Sequence, residues 1–160
     1  MARRCAFLTC SCVVALVCAG GCGDHPQFAV YPVKGRLMVG NKPAAGASLA
    51  FHAIDPRIVC RPVAQTGPDG TFRLMTYAVD DGAPTGEYVV TIFWRDDSPA
   101  DQCEGYDLIK HDRLFGVYFD RTKSPLRATV QPGSNDLAID AVDPREILKS
   151  MKTADRPESR

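Results

Sequence analysis

Apolar residues recur at every second position along most of the chain. Val33, Gly35, Leu37 and Val39 alternate with Lys34, Arg36 and Met38, the pattern of a strand with one face in water. Gly40-Asn41-Lys42-Pro43 then supplies a turn. Ala47, Leu49, Phe51 and Ala53 alternate with Ser48, Ala50 and His52, predicting a second strand paired with the first, with His52 facing the surface. Pro56 to Pro62 reads as a loop. Val63–Thr66 and Thr71–Thr76 flank the tight-turn run Gly67-Pro68-Asp69-Gly70 and are expected to form a hairpin. After the loop Asp80–Gly86, Glu87–Trp94 is the most apolar strand. Tyr88, Val90, Ile92 and Trp94 share one face and Val89 and Phe93 the other, as in a central strand buried on both sides. Asp96–Asp112 is a long polar loop, and Leu114–Phe119 is expected to return as a short strand. Leu126, Ala128 and Val130 mark another, and Pro132-Gly133-Ser134-Asn135 turns into Leu137–Val142. No helix of useful length is predicted. The expectation is an all-β, antiparallel, immunoglobulin/transthyretin-like sandwich of about seven strands.

The first residues follow a different pattern. Arg3-Arg4 precedes an uncharged apolar run through Val13, Val14, Leu16 and Val17, and the run ends in Ala19-Gly20-Gly21-Cys22. A positive start, an apolar middle and small residues before a cut site are the parts of a secretory signal. Ala19-Gly20-Gly21-Cys22 resembles a lipobox, with Ala19 where Leu is favoured. Cleavage before Cys22 would leave that cysteine to carry lipid (palmitate) and hold the chain on a membrane. Two alternatives use the same residues: an uncleaved membrane anchor, or cutting after Val17-Cys18-Ala19 to release a soluble protein. The lipoprotein reading divides the chain into a signal peptide 1–21, a tether 22–28, a β-sandwich 29–142 and a flexible tail 143–160. It places the domain in the cell envelope, facing the periplasm or exterior, on the inner or outer membrane.

With 160 residues there is room for one domain and its tails, and 45% apolar with 24% charged residues is ordinary for a globular chain. The formal net charge of +0 removes the electrostatic footprint that nucleic-acid binding needs. Four of the seven cysteines lie before Cys22, so beyond it only Cys60 and Cys103 remain. An exported protein with an even pair is compatible with one disulfide, and closing that loop would contribute roughly 4 kcal/mol in the chain-entropy model. Two unpaired thiols are the alternative, because sequence does not give their separation.

Tyr31-Pro32-Val33-Lys34-Gly35-Arg36-Leu37, Gly40-Asn41-Lys42-Pro43-Ala44-Ala45-Gly46-Ala47 with Phe51-His52, and Asp69-Gly70-Thr71-Phe72-Arg73-Leu74 carry a resemblance. Together they are similar to carboxypeptidase-regulatory-like domains, which are transthyretin-like β-sandwiches. Gly82–Tyr88, Asp112-Arg113-Leu114 with Gly116 and Tyr118, and Ser124-Pro125-Leu126 resemble small lipoproteins abundant in planctomycetal bacteria. The resemblance spans roughly residues 30 to 142. It implies an accessory module with no peptidase activity and carries over no catalytic residue.

Candidate chemistry is sparse. His25, His52 and His111 have no zinc spacing, and Asp80-Asp81, Asp96-Asp97 and Asp101 lack the calcium-loop pattern, so no metal or cofactor is expected. No Gly-x-Ser-x-Gly or placed Ser-His-Asp set is visible. A transthyretin-like hydrolase of the purine pathway ends in Tyr-Arg-Gly-Ser, whereas this chain ends Pro-Glu-Ser-Arg. Phe93, Trp94 and Tyr106 sit near the Asp96–Asp112 loop and could stack on a sugar or peptide, with burial in the core the preferred reading for Trp94. The expected function is a non-enzymatic, membrane-tethered binding or structural module with an unidentified envelope protein or carbohydrate partner. The alternatives are the transthyretin-like hydrolase and a subunit that docks on an envelope complex by β-augmentation.

Overall fold

A computed structural model describes residues 27–96 and 108–146. The expected signal segment, Cys22, most of the expected tether, Cys103, Tyr106 and the tail beyond residue 146 lie outside the described residues. Among the described residues ten strands appear in chain order: β1 (Val30–Tyr31), β2 (Val33–Val39), β3 (Lys42–Pro43), β4 (Ser48–Ala53), β5 (Val63–Gln65), β6 (Thr71–Arg73), β7 (Ala83–Pro84), β8 (Gly86–Phe93), β9 (Arg127–Val130) and β10 (Asn135–Ala141). One 3₁₀ turn, Leu108–His111, precedes β9. Among the described residues no helix is long and apolar enough to cross a membrane.

The strands form an all-β sandwich. In one sheet β10 lies beside β2, while β6 and β3 share the other edge of β2, β6 along Lys34–Arg36 and β3 along Met38–Val39. The second sheet runs β5-β4-β8-β9 and is antiparallel throughout. β1 and β7 make a separate two-residue pair. The inward residues Leu37, Phe72 and Ile139 of the first sheet meet Leu49, Phe51, Tyr88, Val90 and Ile92 of the second. Phe51 joins the layers, its ring centroid 6.3 Å from Phe72 and 6.0 Å from Tyr88.

Several expectations change. Ten strands replace about seven because the short strands β3 and β7 sit in segments that read as turns or loops, and β1 precedes the first strand expected. β2 and β10 pair in parallel, from Asn135 against Val33 to Ala141 against Val39, so the first sheet is mixed. β4 pairs with β5 and β8, in the sheet opposite β2. The expected hairpin is split: β5 joins β4 and β6 joins β2, leaving a single bridge between Val63 and Met75. β8 is interior to its sheet, flanked by β4 and β9.

Leu114–Phe119 is a run of turns and not a strand. The buried Asp112 carboxylate accepts the N–H groups of Trp94, Leu114 and Gly116, donors that a strand would spend on a neighbour. Phe115 and Gly116 both take positive φ, 53° and 73°, which ends any extended run. Gly35, within β2, is required by close approach: a Cβ there would stand 2.4 Å from the Leu137 carbonyl and 2.6 Å from the Phe72 ring.

The strand directions define two ends. The tether end gathers Phe28, the loop 54–61, the loop 76–82 and the turn 131–134. At the far end lie the turns 40–43 and 67–70, Trp94–Asp96 and residues 108–116.

Candidate functional site

The outer face of the β5-β4-β8-β9 sheet carries a hollow of about 540 Å³. Alternation builds its floor. Burying Leu49 and Phe51 turns Ser48, Ala50 and His52 outward, and burying Val90 and Ile92 turns Thr91 and Phe93 outward. Register puts Ala50 opposite Thr91 and Ser48 opposite Phe93. The two small side chains on β4 leave a depression between the larger His52 and Phe93. Arg61 and Met75 line it on the β5 side. On the far side Phe119, delivered by the turns after Asp112, sets its ring 6.1 Å from Phe93 in an edge-on contact.

Polar chemistry is concentrated at one point. His52 Nε2 and Thr91 Oγ1 are 3.0 Å apart, and Thr91 Oγ1 also lies 3.4 Å from the Ala50 carbonyl. Burial, and then the positive charges of Arg61 and Arg121, hold the His52 pKa below its ordinary 6.5, so the ring is neutral at pH 7. None of the residues lining the hollow is acidic. A neutral imidazole, a hydroxyl, a guanidinium and two phenyl rings can hold an anion attached to a flat apolar body. Among the described residues no carboxylate hydrogen-bonds His52, whose ring meets the Thr91 hydroxyl.

A second hollow, about 710 Å³, lies on the outer face of the first sheet, lined by Lys34, Arg36, Arg73, Asp80 and Asp136 among others. Its cations are neutralised in place: Lys34 to Asp136 at 3.2 Å, Arg36 to Asp69 at 3.6 Å and Arg73 to Asp80 at 4.0 Å. This is a solvated charged face.

Cys60, half-buried in the loop before β5, is a free thiol near the Tyr77 hydroxyl. Cys103, and with it the expected Cys60–Cys103 bridge, lies outside the described residues. Trp94 packs against the core only in part. Its Nε1 donates to the Ala45 carbonyl at 2.8 Å, and the Arg113 guanidinium lies 4.9 Å from its ring centre. His111 sits 3.8 Å from Asp96 and takes no part in the hollow. Of the residues singled out in the sequence, only His52 and Phe93 line the hollow. Thr91 is legible as the one polar residue inside the apolar run Tyr88–Trp94. Arg61 and Phe119 arrive through loops, whose course no periodicity reports.

No protein-family model matches the chain, and no curated protein matches it.

Proposed function

We propose that the chain is a lipoprotein of the cell envelope, anchored through Cys22, whose sandwich is a non-catalytic binding module of the carboxypeptidase-regulatory-like kind. Its ligand is a small anion with a flat apolar body, such as an aromatic or sugar acid. The observation that carries this reading is the acid-free hollow in which His52, Thr91 and Arg61 stand beside the Phe93–Phe119 pair. Charge complementarity selects the anion, and the ring pair selects the body.

Titrating the protein with phenylacetate and glucuronate, while following the His52 imidazole and Thr91 amide by NMR, tests it. Saturable shifts at both positions are expected, lost in Arg61→Ala and absent with the cation phenethylamine. Shifts that ignore Arg61, or none at all, would overturn the reading.

A second reading is favoured by β10. Among the described residues this seven-residue strand has β2 on one side and no strand on the other. Such an edge can accept a partner strand. Self-pairing centred on Ala138 would set Asp136 against Asp140, so the edge is built against a second copy of this chain and suits a basic strand instead.

A further inference from the structure

The tether end bears apolar side chains that the core does not use. Val79 is 80% exposed and Val59 74%, with Ile54 and Tyr77 also exposed beside them. They stand on built loops. The Asp81 carboxylate accepts the N–H groups of Thr76, Tyr77 and Ala78, which pins the turn that presents Val79. Asp55 grips Arg57 through its backbone N–H and side chain, shaping the turn that presents Val59. Where the chain enters this end is also fixed, because the Phe28 N–H donates to the Tyr77 hydroxyl at 3.0 Å. The five residues Gly23–Gln27 between Cys22 and Phe28 span at most roughly 20 Å between Cα atoms. A lipid on Cys22 therefore holds this end, and not the far one, against the bilayer.

Resting on the lipid-anchor reading above, we propose that the tether end docks on the bilayer, with Val59, Val79 and Ile54 inserted among the acyl chains and Tyr77 at headgroup level. The tether makes weak insertion sufficient, since a short link raises the local concentration of the loops at the surface to the order of mM. Charge does not drive the docking: Asp55, Asp80, Asp81 and Glu87 outnumber Arg57 and Arg61 at this end, so insertion rests on the apolar side chains and the tether. Ile109, Phe115 and Val142 are exposed at the far end, a strand's length away, and cannot reach the same surface.

The mature, lipid-bearing protein in vesicles of phosphatidylethanolamine and phosphatidylglycerol, with and without brominated acyl chains, tests this. The chain has one tryptophan, Trp94, at the far end, so the wild type reports background. In Val79→Trp and Val59→Trp the added emission should fall by about half on brominated vesicles, and in Phe115→Trp by less than about a tenth. Equal quenching of the Val79→Trp and Phe115→Trp proteins, while both still float with vesicles, overturns docking and leaves the anchor standing. A protein that carries no lipid and does not float overturns the anchor, and docking with it.

Discussion

The imidazole Nε2 of His52 lies 3.0 Å from the hydroxyl of Thr91, joining β4 to β8 across the outer face of the sheet. Because burial and two arginines hold this histidine below 6.5, the unfolded chain binds more protons than the folded one as pH drops under that value. The stability contributed by the neutral ring is complete above pH 6.5 and declines as pH falls toward the depressed value. Urea midpoints measured across that window should fall on acidification, and fall less in His52→Gln. Protonation also adds a cation beside Arg61, so phenylacetate should bind more tightly as the ring charges while the ligand stays ionised. Affinity that is flat with pH would separate His52 from the ligand.

Asp112 satisfies three backbone donors with one side chain. Asp112→Ala leaves those N–H groups without their acceptor, at about 1–3 kcal/mol for each that water cannot reach. A loss of at least ~2 kcal/mol in urea unfolding is expected, together with a changed near-ultraviolet signal from Trp94, whose N–H is one of the three. Phe119 reaches the hollow through these turns, so ligand affinity should fall as well.

Gly35→Ala places a methyl group within 2.4 Å of the Leu137 carbonyl. That carbonyl belongs to β10, so relief requires the β2–β10 ladder to part and Phe72 to shift as well. Destabilisation of about 1–3 kcal/mol is expected, and a thermal midpoint unchanged from wild type would contradict the close approach.

The Tyr88 hydroxyl is buried and donates to the Pro84 carbonyl at 2.8 Å. Burial, followed by the neighbouring Cys60 and Tyr77, pushes its pKa well above the ordinary 10.0. A phenol kept neutral in the fold but free to ionise when unfolded contributes stability below pH 10, which is lost as pH rises through and beyond that value. Tyr88→Phe should cost about 1 kcal/mol at neutral pH and flatten the alkaline limb of the stability profile.

Periodicity in the sequence located the strands better than it located their neighbours. The alternation around Leu37, Phe51, Val90 and Ile139 identifies which side chains face inward, and β2, β4, β8 and β10 lie close to where it puts them. Alternation carries no label for the sheet, so it does not tell a β2 neighbour from a β8 neighbour for β4, which pairs with β8. The Leu114–Phe119 run fails for a related reason: apolar spacing there is real, but Asp112 captures the backbone first. In the candidate site, His52 and Thr91 follow from strand parity alone. Arg61 and Phe119 depend on loop paths, which are set by carboxylate caps and positive-φ residues acting over distances a pattern does not encode.

The parallel ladder between β2 and β10 sets the order in which this chain can be completed. Val33 is among the first strand residues to leave a ribosome or a translocation pore, and its partner Asn135 follows about a hundred residues later. Until β10 emerges, one edge of β2 remains open and Leu37 lacks part of its cover. The sheet therefore closes last at its beginning. However the chain is delivered from its N-terminus, the sandwich cannot finish until residues 135–141 are free to pair, so its slowest contact is built into its topology.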